Sequence, residues 1–220
     1  MDDLIQRIAN DRVWRIREIS ALHKQCTTSS ISDDTRATLR KAFIAMIYAH
    51  WEGFVKSSAD YYLEFVAMQG MKMNEIHSSF LSLYFKNQIL LGEKSNKNSV
   101  MIDFCDSLVS NSDKVIKITH KNVINTHDNL NSKVLVEILI CLGLDTEAFE
   151  TKHKFIDRSL VARRNNIAHG NYEKVDEEEM EEVKRTVIEI METFRTLVEN
   201  AATEKRFARP AGKPLAEAAA

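Results

Sequence analysis

DEEEMEEVKRTVIEIMETFRTLVENA, residues 176–201, carries Met180, Val183, Val187, Ile190, Phe194, Leu197 and Ala201 in alternating steps of three and four. Such steps keep one face of an α-helix apolar, so the stretch predicts a helix over residues 176–207 with a continuous hydrophobic seam. Its first turns hold Asp176, Glu177, Glu178, Glu179, Glu181 and Glu182, and the positive end of the helix dipole favours acids there. A seam of this length needs covering, and it fits a bundle core better than a coiled coil, with a dimer face as the other use.

The same periodicity recurs upstream. Residues 3–24 place Ile5, Ile8, Ile16, Ile19 and Leu22 near helical spacing until Cys26-Thr27-Thr28-Ser29-Ser30 ends the pattern. Ser32 or Asp33 can cap a second helix that runs on Leu39, Phe43, Ile47, Trp51, Phe54, Tyr61, Phe65 and Met68 to Gly70. A third run, Ile76, Phe80, Leu83, Tyr84 and Ile89, is expected to close at Gly92, where glycine can take the left-handed conformation. Ser132 is expected to cap a helix over Val134, Leu135, Ile138, Leu139 and Leu142 that stops at Gly143, and a further helix should cover residues 151–168 before Gly170.

Between Glu93 and Ser132 the texture turns polar, with Ser95-Asn96-Lys97-Asn98-Ser99 and Asn129-Leu130-Asn131 around two short apolar runs. Residues 93–132 therefore read as an insertion that shapes substrate or partner choice and contributes little to the core. Within it, residues 100–109 suit a short helix, while residues 114–119 alternate like a strand that would pair with residues 122–125. The predicted fold is all-α: one bundle of long helices over residues 1–208 with a polar insertion at 93–132, then a flexible tail or expression remnant over 209–220.

Composition excludes much else. The 220 residues hold 30 bases and 32 acids, only six glycines, and two prolines that both fall in the last eleven positions, too few turn formers for a many-stranded sandwich or barrel. Cys26, Cys105 and Cys141 are odd in number and too far apart for a CxxC pair, which fits a reducing cytoplasm. Met1-Asp2-Asp3 is acidic where a signal peptide is basic, and no apolar run approaches the roughly 20 residues of a membrane span, so a cytoplasmic protein without membrane contact is expected. No two glycines lie closer than seventeen residues, which rules out a P-loop or Rossmann turn. The seven histidines form neither an HExxH pair nor a His/Cys cluster, and Gly-x-Ser-x-Gly is absent, so no metal and no cofactor is expected. His50 reads as a satisfied core histidine, and His120, His127 and Asp128 as an ordinary polar loop.

One segment departs from the neutral average. Between Thr151 and Gly170 five bases, Lys152, Lys154, Arg158, Arg163 and Arg164, stand against Asp157 alone, a net of +4 that would draw anions; Arg163, Arg158 and Lys154 are candidate RNA-binding residues. On a helix Asn165 and His169 share a face at i and i+4, and Arg164 falls in the same half of the surface. Gly170 ends the helix directly after His169 and leaves the imidazole at a terminus. Cleavage of RNA by its own 2′-hydroxyl needs a base near neutral pH and a fixed positive donor for the phosphorane oxygens; histidine and arginine supply these, and asparagine can orient either. On residue types alone a structural role stays open, because Arg163 and Arg164 can pair with the acids of residues 177–182 and His169 can cap its own helix end.

Arg164-Asn165-Asn166-Ile167-Ala168-His169, with Leu160-Val161 before it and Gly170 after, resembles the signature of the HEPN superfamily: an arginine, usually a polar residue next, and a histidine near a helix end. His50-Trp51-Glu52-Gly53-Phe54-Val55-Lys56 is similar to the prokaryotic HEPN branch allied to the RiboL-PSP-HEPN and MAE_28990-like groups, and the resemblance extends over residues 1–200. It implies a helical bundle that forms a homodimer, in which two such motifs face one another as one composite, metal-independent endoribonuclease site. Arg164 and His169 are then the catalytic pair with Asn165 beside them, and the implied role is that of a toxin or antiviral defence effector. The implied partners are substrate RNA, a second copy and an antitoxin or defence-system protein. A catalytically silent scaffold or regulatory subunit is the alternative. A related toxin branch carries His-x-Tyr with a nucleotidylated tyrosine; His169-Gly170-Asn171-Tyr172 is one residue longer, which leaves Tyr172 as a candidate regulatory residue. The seam over residues 180–201 and the helix ending at His169 are expected at the two-fold interface.

Overall fold

A computed structural model describes residues 1–209 except Asn96, Asn111, Ser112, Asn122 and His127, and at 107–110 the backbone alone. The axis of the molecule is the helix Asp33–Ala67, here α2, which follows α1 (Asp2–Cys26). Ser32 caps α2 by accepting the Thr35 N–H, and no proline interrupts its 35 residues. His50, Phe54, Trp51, Tyr48, Ala59 and Leu63 are all buried although, at 100° per residue, they spread over more than half of the helix circumference, the pattern of a helix covered on several sides. The cover comes from α1, from α6 (Arg163–Ala168) and from α7 (Glu177–Thr203). A second group packs α3 (Ser78–Ser95) against α4 (Asn98–Ser110) and α5 (Ser132–Cys141).

The last helix has the expected start. Asp176 accepts the Glu179 N–H at 2.9 Å while the Glu179 carboxylate accepts the Asp176 N–H at 3.1 Å, a closed capping box. Met180, Val183, Val187, Ile190, Phe194 and Ala201 are buried within the chain, and Phe194 stands edge-on to Trp51 of α2 with centroids 6.5 Å apart. The expectation of the seam at a two-fold interface is thereby corrected: α2 is apolar on several faces and takes the seam of α7 as one of its covers.

The local differences have physical reasons. α3 runs through Gly92 instead of ending there, because α4 crosses at that point; a Cβ on Gly92 would lie 2.4 Å from Met101 Sδ. Asn131 caps α5 in place of Ser132, its Oδ1 accepting the Val134 N–H at 3.0 Å. The expected pairing of 114–119 with 122–125 gives way, among the described residues, to a bridge from Val115 to Lys72, with Met73 N–H donating to Lys114 O at 3.0 Å and Ile116 N–H to Met71 O at 3.2 Å; Asn122 lies outside the described residues. The alternation of that segment serves burial, since Ile116 and Ile118 lie in the core together with Ile124 and Leu130. The second half of the insertion is thus core, contrary to the expectation that residues 93–132 add little to it. His127 and the tail from Pro210 onward lie outside the described residues, while Arg209 is still tied in through its N–H to Glu75 O at 2.7 Å.

Candidate active site

The segment before the motif is helical with a changing pitch: a 3₁₀ stretch (Glu147–Lys152), a π-helical stretch (Phe155–Ala162) and then α6. π-helical turns are uncommon and often accompany functional sites. Ile156, Leu160 and Val161 bury one face of this rod, and Asp157 pins it to α5 by accepting both the N–H and the hydroxyl of Ser132 at 2.7 Å. Lys154 and Arg158 are exposed on it.

Arg164 is immobilised on every side but one. Its Cζ lies 4.3 Å over the ring of Tyr48, Nη1 donates to Asn165 Oδ1 at 2.9 Å, Nη2 donates to the carbonyl of Asp128, and the Glu52 carboxylate stands 3.8 Å away. The side chain keeps 24% of its surface exposed, and two of its five donors are engaged. Tyr48 is buried, and its Oη accepts the Leu130 N–H at 2.6 Å. Burial pushes the Tyr48 phenol up to about 12, with the Glu52 carboxylate acting the same way and the Leu130 N–H and Arg164 opposing it. The ring is therefore a neutral platform.

Arg163 is placed differently. Its Nε donates to Glu173 at 2.8 Å, and Nη2 donates to the Lys174 carbonyl at 2.6 Å and to Glu179 at 3.2 Å, so the side chain fastens the 170–176 connection to the start of α7. Asn166 adds a bond to Glu173 at 3.0 Å. Gly170, at φ +73°, closes the helix with its N–H on Ile167 O, and His169 sits at the C-cap with its N–H on Asn165 O at 3.0 Å. The His169 imidazole is exposed and makes no hydrogen bond or ion pair among the described residues. Tyr172 is 89% exposed two residues past that glycine.

Arg164 and Asn165 lie on α6 and are bonded to each other, and His169 is the C-cap of that helix. Around Arg164 the structure adds Tyr48 and Glu52, to which sequence reasoning gave no role, and the carbonyl of Asp128, which it read as an ordinary polar loop. Glu52 belongs to the His50-Trp51-Glu52-Gly53 stretch, whose members divide the work around α2. His50 is buried against Trp14 and Glu18, Trp51 enters the core, Glu52 turns to Arg164, and Gly53 leaves room for Arg15. Tyr48 precedes Glu52 by one helical turn, and that i, i+4 spacing was the available signal. Among the described residues no group of three or more His, Cys, Asp or Glu is placed to hold a metal ion, and no helix is long and apolar enough to cross a membrane.

A long central helix, packed against a rod that ends in an arginine and a histidine five residues apart, makes an all-α domain. The family model of MAE_28990-like HEPN domains matches residues 4–207, and the chain belongs to that family. HEPN domains are often ribonucleases, and some are inactive. No curated protein and no solved structure matches the chain.

Proposed function

We propose that the chain is a metal-independent endoribonuclease that cuts RNA through its own 2′-hydroxyl and acts as a toxin or antiviral defence effector. The observation that carries this reading is the contrast within one helix end: Arg164 is held by a ring, an amide and a carbonyl, while the imidazole of His169 is unengaged and open to solvent. A fixed cation and an accessible imidazole at one helix end are what the reaction needs. His169 takes the proton of the 2′-hydroxyl, the 2′-oxygen bonds to phosphorus, and the bond to the 5′-oxygen breaks. The free donors of Arg164 face the charge that grows on the phosphorane oxygens. The 5′-oxygen leaves on the side of phosphorus opposite the attacking 2′-oxygen, out of reach of the imidazolium that His169 has become, so its proton would come from water or from the His169 of a second copy in a homodimer.

Purified protein is expected to cut single-stranded RNA in EDTA, to spare DNA, and to leave 2′,3′-cyclic or 3′-phosphate ends. His169→Ala and Arg164→Ala should each lower the rate by roughly 10²-fold or more with the fold retained. Products bearing 5′-phosphate, or cleavage abolished by the chelator, would refute the assignment. A second reading, a silent scaffold that binds a partner protein or RNA, is favoured by the Glu52 carboxylate, which already partly offsets the charge of Arg164. The same assay separates the two, since a scaffold cuts nothing. Sedimentation at micromolar concentration should show a dimer; a monomer that still cuts RNA would remove the composite site.

A further inference from the structure

We propose that Tyr48 and the insertion segment Asp128–Ser132 form a cradle that sets the direction of the Arg164 guanidinium. The inference rests on the ribonuclease reading and deepens it by naming the residues through which the insertion acts on the site. The Tyr48 ring lies 4.3 Å beneath Cζ of Arg164, and the carbonyl of Asp128 accepts from Nη2. Platform and segment are bonded to each other, because the Leu130 N–H donates to Tyr48 Oη at 2.6 Å. Two residues on, Ser132 is held by Asp157 through its N–H and its hydroxyl, and Asp157 lies on the same rod as Arg164. The segment is therefore fastened at one end to the platform and at the other to the rod that carries the arginine, so the guanidinium cannot swing without breaking one of these bonds.

The backbone shows the same point under load. Asp128 has φ +54°, a left-handed conformation that costs a residue with a side chain, and it occurs at the residue whose carbonyl meets Arg164. Aspartate tolerates that region better than most residues, and glycine tolerates it freely. Tyr48 is 2% exposed beneath the arginine, which makes it a positioning residue: it acts on substrate only through Arg164.

The test follows cleavage of a single-stranded RNA by the full chain for the wild type, Tyr48→Phe, Arg164→Ala and the double variant, with melting temperatures alongside. Tyr48→Phe keeps the ring under Arg164 and removes the acceptor of the Leu130 N–H. It is expected to lower kcat about tenfold with KM within about twofold, and to cause no further loss in the Arg164→Ala background. Equal losses in both backgrounds, or an unchanged kcat with a lower melting temperature, would mean that Tyr48 only supports the fold, and would overturn the cradle. Asp128→Gly gives the independent variant: it removes the left-handed cost and frees the segment, so kcat should fall while the melting temperature holds or rises; an unchanged kcat overturns the proposal.

Hydrogen exchange reads the same coupling without activity. The Leu130 amide should exchange faster in Tyr48→Phe and also in Arg164→Ala. Unchanged exchange in Arg164→Ala overturns the cradle even where RNA is cut. Faster exchange in both, beside a wild type that leaves RNA intact, upholds the cradle and removes the ribonuclease reading instead.

Discussion

At Gly53 a Cβ would stand 2.5 Å from Arg15 Nη1, and that guanidinium is not free to retreat: it bonds Asp11 twice, at 2.8 and 3.2 Å, and is buried. At Gly92 the obstacle is the Met101 thioether, the end of a flexible and exposed side chain. Gly53→Ala should therefore destabilise the protein by about 1–3 kcal/mol and Gly92→Ala by less, read as denaturant midpoints at unchanged slope. Neighbouring arginines part in the same way. A count of charges gives Arg163 and Arg164 equal weight, but Arg163 is bound by Glu173 and Glu179 with 15% of its side chain exposed. Arg163→Gln should lower stability by about 2 kcal/mol and leave RNA cleavage per folded molecule unchanged. Loss of cleavage at full stability would return Arg163 to the substrate-contacting set. The sequence alone left that choice open because both partners, Glu173 and Glu179, reach Arg163 only once the connection folds back.

Helical periodicity carried most of the architecture. The cap at Ser32, the seam of α7 and the break after His169 stand where the pattern placed them. Two features were not legible. The π-helical stretch has no glycine or proline within it, and one extra residue per turn leaves the apolar spacing of Ile156, Leu160 and Val161 almost unaltered. The second half of the insertion looks polar because its few apolar residues are scattered, yet Ile116, Ile118, Ile124 and Leu130 are buried. That difference is measurable: Leu130→Ala should cost about 2–5 kcal/mol, as for a fully buried leucine. Shortening residues 95–99, where α3 ends and α4 begins, should shift the melting temperature by only a few degrees, the scale of about 1 kcal/mol. A mild Leu130→Ala would return residues 113–131 to the surface. Tyr48 went unnamed and Glu52 was quoted without a role for a related reason: the arginine they serve is more than a hundred positions away, and only the packing of α6 on α2 joins them.

Over the whole molecule, a buried and a half-buried histidine set a pH response. His50 is held below the ordinary histidine range by burial first and by Arg15, against the opposite pull of Glu18 and Asp11. His77 is lowered by burial and by Arg209. Below the ordinary value of 6.5 the unfolded chain takes up protons that the folded chain does not, so stability is full above that pH and falls as the pH drops from 6.5 through the two lowered values. Urea midpoints at pH 7.5 and 5.5 should differ in that sense, and His50→Gln should reduce the difference; equal midpoints would contradict it. Lowered Glu64 and Glu192, each bonded to an arginine, add a further decline below about 4.5, the ordinary glutamate value.

The order in which α2 meets its covers has a consequence during synthesis. α1 precedes it and can pack as soon as α2 is made, but α7 begins about 110 residues after α2 ends, which at ribosomal speed is a wait of roughly 5–20 s. Through that interval Trp51 and its neighbours face water or a chaperone. The nascent chain carries its longest helix half dressed until nearly its last described residue has been added.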